Sequence, residues 1–244
     1  MNPTTEIPTQ KTPGLVNWLG YLTATLLLAL PVAVLTVRSG AWQQGLLLYA
    51  VACLGAAILL LLACLMMVLP RFAPWRRAIA RRALIALPGS LLLLSLLGGG
   101  SYPRIHDIST DLEDPPVFTA AEQRRGANSN SLQLDPQTQA LQAEAYPELQ
   151  TLRSRQAFDD MFDRAVQVAT GLGWEIYLQD RNAGVIEAVD STAIMGFKDD
   201  IVIRLRTNAD GTVVDLRSVS RVGLGDMGAN AKRISAFMER LQQG

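Results

Sequence analysis

A change in composition at Gly98 divides this chain into two segments that must fold in different surroundings. Before it lie long runs of apolar residues, and after it the sequence is polar with mixed charge. Residues 1–100 contain seven basic residues and one acidic residue, whereas residues 101–244 contain 15 basic and 21 acidic residues. The net charge of zero therefore hides a first segment of +6 and a second of −6.

Three apolar runs predict membrane-spanning helices, over residues 15–37, 42–69 and 80–98. The first two contain no charged residue, and at about 1.5 Å per residue each can cross about 30 Å of hydrocarbon. The third is apolar only from Ala83, so Arg81 and Arg82 would extend toward the headgroups. A cleaved signal peptide is the alternative for the first run, which is too long for a typical apolar signal core.

The loop between the second and third runs predicts the orientation. It holds five arginines within residues 71–82, whereas the loop between the first two runs holds only Arg38. The positive-inside rule places the arginine loop and the tail, residues 1–14, in the cytoplasm. We therefore expect a multi-pass protein of the inner membrane, with everything beyond Gly100 in the periplasm. Binding of anionic lipid headgroups is a second interpretation of the arginines.

The predicted spans have no ionisable residue at depth, which argues against an ion-coupled transporter. Small residues predict close helix packing, either within the chain or in a homo-oligomer; they include Gly20, Ala24, Ala52 and Ala56. The segment after Gly100 contains no cysteine, so disulfides and thiol chemistry are excluded there.

Beyond the spans, residues 99–150 predict an extended linker or strap, and residues 151–244 predict a folded domain. Apolar residues recur at helical spacing from Phe158 to Leu172, and again from Met227 to Leu241 with Asp226 as N-cap. Four strands are predicted between these helices, near residues 174–178, 185–191, 201–205 and 213–219. The predicted class is α+β: a three-helix transmembrane segment, then a four-stranded antiparallel meander packed by two helices.

Metal and serine-hydrolase sites are not indicated by the polar residues. His106 is the single histidine, and neither a cysteine nor the serines at 218 and 220 lie near it in sequence. The acidic run from Asp107 to Glu113 lacks the glycine and the final glutamate of a calcium loop. We expect no cofactor and no nucleic-acid partner.

Four motifs stand out in the polar segment: Ile105-His-Asp-Ile-Ser-Thr-Asp-Leu-Glu-Asp-Pro-Pro-Val-Phe118, Gly196-Phe-Lys-Asp-Asp200 with Arg204, Asp215-Leu-Arg-Ser-Val-Ser-Arg221, and Gly225-Asp-Met-Gly-Ala-Asn230 followed by Arg233-Ile. Together they resemble domain-of-unknown-function family 1499, over roughly residues 100–242. The resemblance implies a shared fold, and it brings no established activity or catalytic residues. The three predicted spans lie outside it.

Candidate ligand-binding residues come from these motifs: Asp199, Asp200, Arg204, Arg217, Arg221, Asp226 and Asn230. Strand alternation predicts that the arginines share the sheet face away from the helices, together with Tyr177, Glu187, Arg206 and Asp215. Arginine binds carboxylates and phosphates in bidentate geometry, which favours recognition of an anionic group. Cross-strand ion pairing on a solvated sheet face is the alternative.

These observations favour a non-enzymatic inner-membrane protein that presents a binding module to an envelope component: a lipid, a glycan or a partner protein. One alternative is a hydrolase or transferase that acts on a membrane-adjacent substrate through Asp200, Arg204, Asp226 or His106. Another is a structural or assembly subunit of a membrane complex.

Overall fold

The computed structural model describes residues 11–98 and 102–243 of the 244-residue chain. The chain divides into two compact units, residues 1–99 and 100–244, where the composition changes. Most of the predicted cytoplasmic tail, residues 1–14, lies outside the described residues, as do Gly99 and Gly100 of the glycine run after the third apolar segment.

Three long helices form the described part of the first unit: α1 (Gly14–Arg38), α2 (Trp42–Val68) and α3 (Arg76–Leu97). Each is long and apolar enough to cross a membrane, α3 together with the 3-10 turn Pro70–Trp75 that precedes it. Many of their exposed side chains are large and apolar, as at Leu28, Leu61 and Leu94. Such surfaces are typical of helices that contact lipid, and the three predicted helices are confirmed.

Small residues let these helices pack closely. Ala52 and Ala56 of α2 are buried, and a Cβ added at Gly89 of α3 would lie 2.7 Å from the Ala56 Cβ. A Cβ added at Gly45 would lie 2.7 Å from the backbone nitrogen of Val37, because α1 and α2 approach each other there. The predicted small-residue positions of α2 therefore serve contacts within the chain.

Arg82, at the head of α3, hydrogen-bonds between helices, whereas the sequence predicts a side chain extended toward headgroups. Its Nη2 donates to Asn17 Oδ1 of α1 at 2.9 Å, and its Nη1 donates to Ala78 O at 3.0 Å. The arginine passes over Gly20 of α1, where an added Cβ would lie 2.9 Å from Nε. Because glycine leaves this space open, the charge gains a polar partner inside the helix bundle.

The second unit is built on an antiparallel sheet. Its described strands are β1 (Asp107–Ser109), β2 (Leu152–Ser154), β3 (Glu175–Asp180), β4 (Val185–Ser191), β5 (Lys198–Asn208) and β6 (Gly211–Ser220). Their order is β1-β6-β5-β4-β3, and β2 also pairs with β6. Strands β3 to β6 form the predicted meander. The six strands exceed the predicted four because β1 and β2 have three residues each, too few to show an alternating pattern.

Three helices accompany the sheet within residues 102–243: α4 (Pro136–Ala145), α5 (Phe158–Gly171) and α6 (Ala229–Gln242). The predicted helices are α5 and α6, which cover one sheet face over a core where the rings of Trp174 and Phe237 stack at 5.3 Å. Met227 was predicted to begin the apolar stripe of α6, and this prediction is wrong. This residue precedes the helix and is 53 % exposed, since Gly228 adopts a left-handed conformation (φ +78°) between them. The class is α+β, as predicted.

Residues 102–151 are here called the strap, and residues 111–125 of it lie across the sheet face opposite α5 and α6. Strand β1 joins the beginning of the strap to β6. The buried Gln142 of α4 then binds the Ser109 backbone twice, accepting from its N–H at 3.0 Å and donating to its carbonyl at 2.6 Å. Asp135 caps α4 by accepting from the N–H groups of Gln137 and Thr138. These contacts place the acidic residues of the strap above the sheet.

Candidate functional site

Alternation along β5 and β6 sends neighbouring side chains to opposite faces of the sheet. Ile201 and Ile203 join the core under α5 and α6, whereas Asp200 and Arg204 face the strap. Asp199 lies on the helix side, where it meets Arg233 of α6. Of the seven candidates, the strap face holds Asp200, Arg204, Arg217 and Arg221, and the helix face holds Asp199, Asp226 and Asn230.

A first cluster on the strap face joins two arginines to three aspartates. Arg204 and Arg206 extend from β5, Asp215 from β6, and Asp111 and Asp114 from the strap. Arg206 Nη2 donates to Asp215 Oδ2 at 2.7 Å, and Arg204 Nη1 donates to Asp114 Oδ2 at 3.0 Å. Positive charge on the sheet is therefore matched by negative charge on the strap above it.

The carboxylates of Asp215 and Asp111 are the most tightly held in this cluster by burial, hydrogen bonds and charge. Asp215 is fully buried, and its Oδ1 accepts from the hydroxyl of Thr151 at 2.6 Å. Burial raises the pKa of Asp111, but the N–H of Asp114 and the charge of Arg204 outweigh it and lower that pKa below its ordinary value. Both carboxylates thus have hydrogen-bond partners within the chain, and those of Asp111 favour its ionised form.

Arg217 forms a second cluster, and only 2 % of its side chain is exposed. Its Nε and Nη2 donate to the two oxygens of Asp107, at 2.9 and 2.6 Å, in bidentate geometry. Nη2 also donates to Leu132 O at 2.8 Å, and the guanidinium lies 5.5 Å from the centre of the Phe118 ring. All of these partners belong to the strap, so the anion recognised by Arg217 is part of the protein.

A third cluster centres on Asp200, whose side chain is fully buried. Arg221 Nη2 and Nε donate to its two oxygens at 2.7 and 2.9 Å, and Arg125 Nη1 of the strap lies 3.0 Å from Oδ2. Burial lowers the pKa of Arg125, an effect that the carboxylate of Asp200 opposes. Arg221 Nη1 also donates to Arg124 O at 3.1 Å. One carboxylate therefore joins two strands and the strap.

Glu187 of β4 is a fourth contact between the sheet and the strap. The Thr119 hydroxyl donates to Glu187 Oε1 at 2.6 Å, and the Ala120 N–H donates at 3.1 Å. Beside it, burial and the charges of Asp200 and Glu187 raise the pKa of Tyr177 far above its usual range. Tyr177 therefore stays neutral, and its ring lies 4.7 Å below the guanidinium of Arg124.

The helix face carries a separate buried cluster around Arg233 of α6. Its Nη2 donates to Asp199 Oδ2 at 2.6 Å, and its Nε donates to Asp190 Oδ2 at 2.8 Å. The Ser218 hydroxyl and Arg233 Nη1 both donate to Asn230 Oδ1. Burial raises the pKa of Asp199, although the charge of Arg233 acts in the opposite direction. This cluster ties the first turn of α6 to β4, β5 and β6.

Asp226 binds the start of α6, but not as the predicted N-cap residue. The residue at the N-cap is Gly228, and Asp226 accepts from its N–H at 2.9 Å and from the Asn230 N–H at 2.8 Å. Asn230 Nδ2 then donates to Ser220 Oγ at 2.9 Å and to His106 O at 3.1 Å. Because its carboxylate occupies the free N–H groups of this helix end, Asp226 stabilises the helix rather than leaving a phosphate site.

Sequence reasoning identified one side of most ion pairs and missed the other. Asp200 pairs with Arg221, and Asp199 pairs with Arg233, a residue that was not among the seven candidates. None of the strap aspartates was among the seven candidates. Their density between residues 107 and 114 was the available signal, but nothing local shows that arginines from β5 and β6 lie beneath them. The expected solvated face is in fact covered by the strap.

Within residues 11–98 and 102–243, no group of three or more His, Cys, Asp or Glu side chains is arranged to hold a metal ion. A groove of about 300 Å³ lies between residues 148–152 and α6. Its apolar lining includes Leu149, Ile234 and Met238, and the exposed carboxylates of Glu148 and Glu239 stand at its rim. The groove borders the first strap-face cluster, because Thr110 and Thr151 line it and also donate to Asp215 Oδ1.

The described structure defines a class of protein: three helices suited to a membrane, joined in sequence to an α+β domain whose charged strap is ion-paired to its sheet. A family model described as a protein of unknown function (DUF1499) matches residues 107–241. The chain therefore belongs to the DUF1499 family, as the motifs suggested, and the matched region begins at β1 and ends in α6. No curated protein matches the chain.

Proposed function

We propose that this chain is a non-enzymatic inner-membrane protein whose C-terminal domain, in the periplasm, binds a component of the cell envelope. The observation that carries the proposal is that the candidate catalytic carboxylates already have internal partners. Asp200 is buried against arginines, and Asp226 binds backbone N–H groups. A carboxylate engaged in this way stabilises the fold and is poorly placed to exchange protons with a substrate.

The arginine loop supports the orientation. Arg71, Arg76, Arg77 and Arg81 are exposed around the turn between α2 and α3, and Arg76 Nε donates to Met67 O at 2.8 Å near the end of α2. A cluster of this kind is retained on the cytoplasmic side during insertion. With three spans, the C-terminal domain then lies on the opposite side of the membrane.

The groove beside α6 is a surface suited to a ligand. Its volume of about 300 Å³ is at the lower end for small-molecule sites, and it combines a buried apolar floor with polar groups at the rim. Because the rim carries Glu148 and Glu239, the groove favours an envelope component with an apolar body and a cationic or amine group. Lipids, amine-bearing glycans and basic peptides share that chemistry.

Accessibility of single cysteines tests the orientation. Cys53 and Cys64 are replaced by alanine, and one cysteine is added at Ala209, in the exposed β5–β6 turn, or at Ala73, in the arginine loop. In intact spheroplasts, a membrane-impermeant maleimide should label Ala209→Cys, and label Ala73→Cys only after lysis. The reverse pattern would refute the orientation.

Photocrosslinking in living cells tests the binding site. A benzophenone amino acid is placed at Gln242, on the groove, or at Glu122, an exposed control position on the strap. Lipid, glycan and protein adducts are identified together by mass. An adduct specific to position 242, and lost on Glu239→Lys, supports the proposal. The same adducts at both positions, or hydrolase or transferase activity abolished by Asp226→Ala, would overturn it.

A further inference from the structure

The loop of residues 223–228, between β6 and α6, exposes two large apolar side chains. Leu224 is 70 % exposed and Met227 is 53 % exposed. Met227 also has a left-handed backbone (φ +54°), which glycine, asparagine and aspartate adopt more readily than methionine. Met227 therefore keeps a large, half-exposed apolar side chain on an unfavourable backbone, which points to a role outside the domain.

This loop packs on the residues that follow the third membrane helix. The N–H of Asp226 donates to Ile105 O at 3.2 Å. A Cβ added at Gly228 would lie 2.7 Å from the ring of Tyr102, and one added at Gly225 would lie 3.2 Å from the Cα of Arg104. The two glycines therefore let the 223–228 loop fit closely against the first described residues of the second unit.

Chain length sets how far this loop can lie from the bilayer. Helix α3 ends at Leu97, and Tyr102 follows five residues later. Five residues span at most about 17 Å when fully extended. The headgroup region of a bilayer adds about 5–8 Å on each side of its hydrocarbon core. The five-residue segment between Leu97 and Tyr102, here called the tether, therefore keeps Tyr102, and the loop packed on it, within reach of the membrane surface.

The surroundings of the loop are basic. The side chains of Arg104 and Lys232 are exposed beside it, and Lys232 Nζ lies 5.2 Å from the centre of the Tyr102 ring. The one acidic residue of the loop, Asp226, is engaged by backbone N–H groups. Exposed apolar side chains surrounded by lysine, arginine and tyrosine are the composition of peptide surfaces that bind anionic bilayers.

We propose that the 223–228 loop docks on the membrane that the chain's own helices span, with Leu224 and Met227 inserted among the headgroups. Arg104 and Lys232 meet anionic lipid phosphates around them. Docking of this kind holds the sheet end near β6 and α6 against the bilayer. The docking proposal rests on the three spans and the short tether, and it does not depend on whether the groove beside α6 binds a ligand.

Depth-dependent quenching on the full chain tests the docking. The cysteine-free variant (Cys53→Ala, Cys64→Ala) receives a single NBD-labelled cysteine at Leu224, Ala209 or Val117, and is reconstituted in nanodiscs of phosphatidylcholine and phosphatidylglycerol. Val117 is a matched apolar control, 66 % exposed on the strap. Ala209 follows the last residue of β5, Asn208. Along this eleven-residue strand, Asn208 lies about 33 Å from the first residue, Lys198. Nitroxide groups near the headgroup end of the lipid chains serve as quenchers.

Docking predicts strong quenching at Leu224→Cys, which lies within about 5–10 Å of the headgroup boundary. It predicts little quenching at the two control positions. Adding Met227→Asp, which suits the left-handed backbone, should reduce the quenching at position 224, and so should nanodiscs of phosphatidylcholine alone. Equal quenching at all three positions, or none at position 224, would overturn the proposal.

Discussion

The network beneath the strap makes a quantitative prediction for Asp200→Asn. Asparagine keeps the shape of the side chain but removes its charge, and its amide turns two donors toward groups that are themselves donors. Arg221 and Arg125, whose side chains are 14 % and 5 % exposed, would then lie buried beside a neutral partner. The substitution should therefore destabilise the domain strongly.

The expected size follows from the burial. Breaking a buried ion pair by removing one partner costs about 3–5 kcal/mol, mostly because the remaining charge is left uncompensated. A domain of this size has a free energy of unfolding of about 5–15 kcal/mol. At about 2–4 °C per kcal/mol, the midpoint should fall by about 6–20 °C.

The same substitution at an exposed pair provides the control. Asp163 on α5 pairs with Arg181, but their side chains are 61 % and 43 % exposed. An exposed pair contributes less than about 1 kcal/mol, so Asp163→Asn should lower the midpoint by only about 2–4 °C or less. The solvent already compensates the charge that this variant leaves behind.

Protease resistance of the second unit is the suitable assay, because it separates this unit from the helices in the full chain. The protein in nanodiscs is heated in steps and pulsed with protease, and the surviving C-terminal fragment is detected through a tag. If Asp200→Asn melts within 2–4 °C of Asp163→Asn, an uncompensated buried charge does not determine the stability of this unit, and the reasoning fails.

Three further outcomes are expected. Asp111→Asn should cost about 1–3 kcal/mol at neutral pH. Because the folded pKa of Asp111 is lowered, the stability that its carboxylate provides is present at neutral pH and is lost as the pH falls below about 4. In urea unfolding, the difference from wild type should therefore vanish in acid, and an unchanged difference at low pH would contradict this. Gly228→Ala places a Cβ 2.7 Å from the Tyr102 ring in a left-handed backbone, at a cost of at least about 1–2 kcal/mol. It should lower the midpoint of the second unit in the protease assay by several degrees, whereas Gly126→Ala, which has open space around the added Cβ, should not. Gly89→Leu should separate α2 from α3 and reduce the yield of folded protein on size-exclusion chromatography, while Leu94→Ala on the exposed face should leave it unchanged.

Ion pairs with this degree of burial are costly to desolvate, and a well-packed apolar face could be equally stable. Their value here is specificity. Arg204 accepts only the placement of the strap that brings Asp111 and Asp114 above it, and Arg217 accepts only the register that brings Asp107 opposite. We therefore interpret the clusters as a device that positions the strap. The groove and the 223–228 loop are the exposed surfaces for which we propose interaction with other molecules.

Local pattern was sufficient for much of the architecture. The membrane helices were predictable because the length of an apolar run is set by the bilayer, whatever surrounds it. The meander and helices α5 and α6 were predictable because side-chain alternation and helical spacing each act over a few neighbouring residues. By the same alternation, the sequence determined that Asp199 and Asp200 lie on opposite faces of the sheet.

Only the tertiary structure decided what the charged residues do. Arg217 meets Asp107 across 110 positions of the chain, and Arg204 meets Asp111 across 93. A sequence displays each charge, but the burial that makes a pair strong depends on where a distant segment crosses the sheet. The same holds for Met227, whose place outside α6 follows from the packing of Gly228 against Tyr102. Local periodicity determined the helices and strands, and long-range packing of the strap determined which groups remain available for function.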